Sequence, residues 1–221
     1  MLHTETVTKP TLELLKKLQA EEVMHDFNLA GGTSLALYLG HRTSIDLDMF
    51  TPVPFDTIKL EQFLLKHYGF HTDFMEKNTL KGTIDGIKVD CITYPYRNIK
   101  DIYEIDGIRL YSMEDIAAMK LSAIADDGSR LKDFVDIAFL SVNFSLYSML
   151  QFYEQKFPES NVIRPLKAIT YFDDINFEED VFILQYKYDW RFIEKRLLDM
   201  MKDQNKVFKT APLPFSGNKK R

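Results

Sequence analysis

The chain has 221 residues, a formal net charge of −5, 45% apolar residues and 28% charged ones. This is enough apolar material for one ordinary core with a helical appendage, and it excludes a disordered polyelectrolyte or a chain that coats nucleic acid by bulk charge. Cys91 is the single cysteine, no apolar run is long enough to span a bilayer, and residues 1–10 lack a signal-peptide layout, so a reducing, cytoplasmic location is expected.

After Pro10, Leu12, Leu15, Leu18 and Val23 recur among charges, which predicts an amphipathic helix over residues 11–25. Residues 27–30 read as a short strand and 33–39 as a short helix, joined by Gly31-Gly32. Residues 44–50 alternate strictly, so Asp46 and Asp48 share one strand face while Ile45, Leu47 and Met49 share the other. At ~3.3 Å per residue the two carboxylates stand roughly 7 Å apart. They repel unless a hard cation stabilises both, and Mg²⁺ suits oxygen ligands and phosphates together. Upstream, glycines at a strand-to-helix turn let backbone N–H groups approach an anion, and a helix N-terminus favours negative charge. Singly, Gly-Gly is a tight turn and Asp-x-Asp a solvated strand edge. In this order they read as a nucleoside triphosphate site.

A capped helix is predicted over 56–67, with Ile58, Leu60, Phe63 and Leu64 on its apolar side. Strands follow at 69–75 and 79–84, then the hairpin signal Asp85-Gly86 and a strand at 87–93. In that strand Asp90 faces away from Val89 and Cys91, and an antiparallel neighbour would bring it beside Asp46 and Asp48. A second hairpin is expected at 105–110. Ser112 opens a helix with Ile116, Ala117, Leu121 and Ile124 on its apolar stripe and Lys120 at the stripe's edge. Asp126-Asp127-Gly128 breaks it, and another helix begins near Arg130, with Asp136 one turn from Lys132 and placed to fix it. Beyond 143 the pattern predicts helices at 145–156, 162–172 and 190–206. Their many aromatics are expected to pack a core, and residues 212–221, with a basic end, to fray.

The run Ala30-Gly31-Gly32-Thr33-Ser34, followed by Asp46-Leu47-Asp48 after thirteen residues (33–45), resembles the first motif of the nucleotidyltransferase fold. With its Arg42, Ser44, Asp46 and Asp48 step, the segment is similar to the AbiEii/AbiGii toxin family of nucleotidyltransferases, and the likeness extends over residues 27–140. It implies an α+β fold, a small mixed sheet flanked by helices with a helical C-terminal region. The expected divisions are a core at 1–110, a helical region at 111–210 completing the active-site cleft, and a flexible tail at 211–221. The resemblance makes Asp46, Asp48 and Asp90 the ligands of Mg²⁺, two ions in all, with Gly31, Gly32, Thr33, Arg42 and Ser44 at the nucleotide. It assigns Lys120 to the triphosphate charge, Lys132 to phosphate contact and Asp133 to orienting catalytic groups. The implied activity is transfer of a nucleoside monophosphate from an NTP to an acceptor hydroxyl, with RNA or tRNA as acceptor, by a toxin with a separately encoded antitoxin. A small-molecule or protein acceptor, or a non-catalytic module that binds nucleotide or a partner, are the alternatives.

Overall fold

In the computed structural model, which describes residues 1–217, Thr8 starts helix α1 (Lys9–Ala20) by accepting the Thr11 N–H, with Pro10 in the first turn. The helix ends before the predicted stripe does, so Leu15 and Leu18 are buried whereas Val23 is exposed. The chain divides into two compact units, Met1–Tyr38 with Ser44–Ser112, and Leu39–Thr43 with Met113–Arg221.

The first unit holds β1 (Asn28–Leu29), α2 (Gly31–Leu39, whose last residue belongs to the second unit), β2 (Leu47–Thr51), α3 (Thr57–Tyr68), β3 (His71–Glu76), β4 (Thr79–Ile84), β5 (Ile87–Thr93), β6 (Tyr103–Ile105) and β7 (Ile108–Leu110). They form one mixed sheet in the order β3-β4-β5-β2-β1-β7-β6. Asp85 and Gly86 both take positive φ, the twist that a two-residue hairpin between β4 and β5 requires. One sheet face presents Leu29, Leu47, Met49, Leu80, Val89 and Cys91 to Leu15 and Leu18 of α1 and to Leu60 and Leu64 of α3, forming the core. Two expectations change. Strand β2 begins at Leu47, so Ile45 lies outside the pleat and is exposed, as is Ile58 on α3. And β5 pairs with β2 in parallel, not antiparallel, because α3 and the β3–β4 pair provide the crossover that parallel neighbours need.

The second unit is helical: α4 (Met113–Asp126), α5 (Leu131–Leu140), α6 (Leu146–Lys156), α7 (Ile163–Ala168) and α8 (Trp190–Lys202). Helix α4 packs on α5, α6 and α7, and α5 packs on α8. Part of the aromatic set packs as expected, with Tyr153 buried and Trp190 meeting Phe134, Phe172 and Phe177 edge-on, whereas Tyr147, Tyr171, Tyr188 and Phe192 are exposed. Residues 41–43 are held in this unit by pairing with 182–184. Of the segment expected to fray, Pro214 and Ser216 bond to Lys187 and Gln185, and Leu213 is buried. Residues 218–221, its basic end, lie outside the described residues.

Candidate active site

Parallel pairing of β2 and β5 sets Asp48 directly opposite Asp90. Opposed residues on neighbouring strands stand ~4.8 Å apart and point the same way, so both carboxylates rise from the face away from the core. The row runs on to Lys81 of β4 and then Phe74 of β3. In the other direction it reaches Ala30, whose N–H donates to the Asp48 carbonyl at 2.8 Å.

Gly31 follows with φ +65°, and a Cβ there would lie 2.0 Å from Asp48 Oδ2 and 2.8 Å from its Cγ. Left-handed backbone and occupied space both demand glycine, so the turn into α2 sits against a carboxylate. Gly32 lies in the first turn of α2. The buried Thr33 hydroxyl hydrogen-bonds to Ser44 Oγ (2.8 Å) and to the Asp46 carbonyl (2.5 Å), fixing the backbone that leads into β2.

Asp90 is 4% exposed. Its Oδ2 lies 3.4 Å from Lys81 Nζ and 3.5 Å from Lys88 Nζ, whereas Oδ1 is buried with no hydrogen-bond partner. Both lysines stand farther off than the about 2.7–2.9 Å of a charge-assisted hydrogen bond, and an orphaned carboxylate oxygen is costly. Asp46 stands just before the strand and is exposed. Among the described residues no three His, Cys, Asp or Glu side chains converge as a metal cluster. Asp48 and Asp90 are brought together; Asp46 is not drawn in with them.

The other predicted residues form a buried network in the helical unit. Arg42 grips Asp136 with two bonds, Nε to Oδ1 at 2.7 Å and Nη2 to Oδ2 at 2.8 Å. Lys120 Nζ lies 2.5 Å from Asp133 Oδ1 and 2.7 Å from Asp136 Oδ2, and His41 Nε2 meets Asp136 Oδ1 at 2.8 Å. Burial by itself would push the Asp136 carboxyl up, but the charges of Arg42 and Lys120 outweigh it and hold this group well below the usual range. Burial likewise works against the charges of Arg42 and Lys120, and the facing carboxylates overcome it, so both are raised. For His41 burial prevails and its pKa is lowered. With His41 neutral, two cations balance two carboxylates. Asp136 therefore anchors Arg42, His41 and Lys120; it does not fix Lys132, which pairs with Glu179 at 3.1 Å.

Sequence reasoning overlooked His41, Lys81 and Lys88. The lysines were recoverable, because a two-residue turn at Asp85-Gly86 sets Lys81 opposite Asp90. His41 had no such signal, since its partner lies 95 positions away.

The family model described as nucleotidyl transferase AbiEii toxin, type IV TA system, matches residues 13–211. The chain belongs to this family. As an AbiEii-type protein it is a nucleotidyltransferase. The uncharacterised Aquifex aeolicus protein aq_aa25 is 33% identical over 181 residues, 78% of this chain and 87% of that one. Among solved structures, JHP933 from Helicobacter pylori is 18% identical, with 89% of this chain and 90% of that one covered at a TM-score of 0.45. The Megavirus polyadenylate synthase is 16% identical, with 68% and 34% covered and a TM-score of 0.40.

Proposed function

We propose that this nucleotidyltransferase uses Mg²⁺ to move a nucleoside monophosphate from an NTP to a hydroxyl of RNA. The observation that carries the reading is the Asp48–Asp90 pair set against Gly31, with Asp90 Oδ1 buried and unpartnered. The unpartnered Asp90 Oδ1 is a hard oxygen donor with an unused lone pair, which fits a divalent cation, and Asp48, Asp90 and the exposed Asp46 are the residues that would hold it. When bound, Mg²⁺ supplies charge stabilisation to the phosphoryl oxygens.

The rest is done by the chain. Gly31, Gly32 and Thr33 offer a tight turn and helix start for the triphosphate, with Ser44 as a hydroxyl beside them. The acceptor oxygen attacks the α-phosphorus, the bond to the bridging oxygen breaks, and pyrophosphate leaves. The Asp48–Asp90 carboxylate pair takes up the hydroxyl proton. In the helical unit we assign Arg42, Lys120, Asp133 and Asp136 to a closed ion-pair network that holds that unit together. The family's type IV toxin–antitoxin setting supports a separately encoded antitoxin and a cytoplasmic site of action. No helix among the described residues is long and apolar enough to cross a membrane.

The test supplies each NTP labelled at the α- or γ-phosphate to the purified protein with Mg²⁺ and total RNA, beside an Asp46→Ala/Asp48→Ala control. Label from the α-position on RNA, absent in the control, is the expected result. Label from the γ-position alone would sink nucleotidyl transfer, and α-label on protein or a small molecule would move the acceptor.

A further inference from the structure

The row across the sheet has a direction. From the edge strand inward it reads Phe74, Lys81, Asp90, Asp48, and then Gly31 at the start of α2. If the triphosphate lies at the glycine end, as proposed above, the acceptor must approach Asp90 from the other end. In-line displacement puts the attacking and leaving oxygens on opposite sides of the α-phosphorus.

That other end is built from groups the transfer chemistry has not used. Lys81 and Lys88 are 39% and 52% exposed, and both reach toward the same Asp90 oxygen without closing a short bond to it. Phe74, next to Lys81 on the outermost strand, is 48% exposed. The register of β3 against β4 shifts between Thr72 and Phe74, so the ladder is interrupted next to Phe74. Lys88 is also followed along its row by Thr83 and the exposed His71. Glu76, two residues from Phe74 on the same face, is the acidic group at the strand's far end. Exposed aromatic and loosely held ammoniums, beside a carboxylate but short of the core, are the two components by which proteins hold single strands: a ring for a base and cations for the backbone.

We propose that Phe74, Lys81 and Lys88 form the acceptor subsite, in which the ring stacks a base near the strand's end and the lysines contact its phosphates. This rests on the nucleotidyl-transfer reading. It commits the acceptor to a single-stranded nucleic acid end; a folded protein acceptor would have no use for a stacking ring flanked by phosphate-seeking charges.

The experiment measures binding of a fluorescent single-stranded RNA dodecamer across a range of salt concentrations, and separately binding of a labelled NTP with Mn²⁺, for the full chain and three variants. Phe74→Ala is expected to weaken the RNA by about 5- to 100-fold, the loss of one stacked base. Lys81→Gln and Lys88→Gln should each flatten the dependence of log affinity on log salt by about 0.7. Lys81→Arg restores the slope, and NTP affinity stays unchanged in Phe74→Ala. RNA affinity and salt slope unaltered in every variant, while α-label still transfers in the wild type, would overturn the subsite and leave nucleotidyl transfer standing. Loss of NTP affinity in both lysine variants, with RNA binding intact, would place the lysines on the triphosphate side and equally overturn it. Absence of transfer in the wild type is the failure of the underlying reading, seen before any variant is made.

Discussion

The two units handle charge in opposite ways. In the helical unit Arg42, Lys120, Asp133 and Asp136 are buried, their contacts with one another run from 2.5 to 2.8 Å and their charges cancel, with the exposed Arg130 3.6 Å from Asp133 Oδ2. On the sheet, Asp90 is buried but its lysines are half-exposed, and neither comes closer than 3.4 Å. A closed, neutral network is fixed, because removing any member strands a charge in a poorly solvated place. A loose one is exchangeable, because water and ligands replace the lysines at small cost. The contrast separates charges that hold the fold from charges free to meet a substrate.

The largest expected effect tests the fixed side. Asp136→Ala leaves Arg42 and Lys120 facing each other without their shared anion, so chemical denaturation should show about 3–5 kcal/mol less stability. A loss under 1 kcal/mol would mean the network relaxes freely and the contrast is false.

A smaller effect tests the exchangeable side. Gly31→Ala drives a methyl group into the Asp48 carboxylate and strains a left-handed residue, at a cost of about 1–3 kcal/mol. Because the displaced group is the carboxylate itself, transfer should fall by roughly 100-fold or more while the chain stays folded. Full activity in a folded variant would detach the glycine turn from the site.

The smallest is a pH dependence. The lowered pKa of His41 means that, as pH falls below about 6.5, the unfolded chain takes up a proton that the folded chain refuses. Stability therefore falls with acidity from that point, by up to about 1.4 kcal/mol per pH unit, until the folded pKa is reached. Asp136, whose pKa is depressed, adds its own loss only below about pH 4. His41→Gln should flatten the first slope and leave the second; denaturation midpoints from pH 7.5 to 4.5 check it.

Much of the sheet unit was legible in sequence because its signals are local. Alternation placed Leu47 and Met49 in the core, and Asp85-Gly86 fixed the β4–β5 hairpin. The glycine pair and Asp-x-Asp step marked the site through a backbone constraint, and Asp48 does press on Gly31. The reading failed where side chains meet through space. Lys120 stands at the edge of an apolar stripe in sequence, and only the packing of α5 on α4 buries it between two carboxylates of the next helix. Asp136 looked like a partner for Lys132 one turn away and instead binds a segment more than ninety residues earlier.

By itself, then, the sequence determined the elements, the motif and the family's chemistry, since periodicity, turn residues and a spaced set of glycines and acids act within short stretches of chain. Tertiary structure alone decided the parallel pairing that sets Asp48 opposite Asp90, and the row that continues to Lys81 and Phe74. It also decided which charges are closed and which are open. Those outcomes depend on how far burial removes water from each charge and which opposite charge packing brings near, and neither is encoded at any single position.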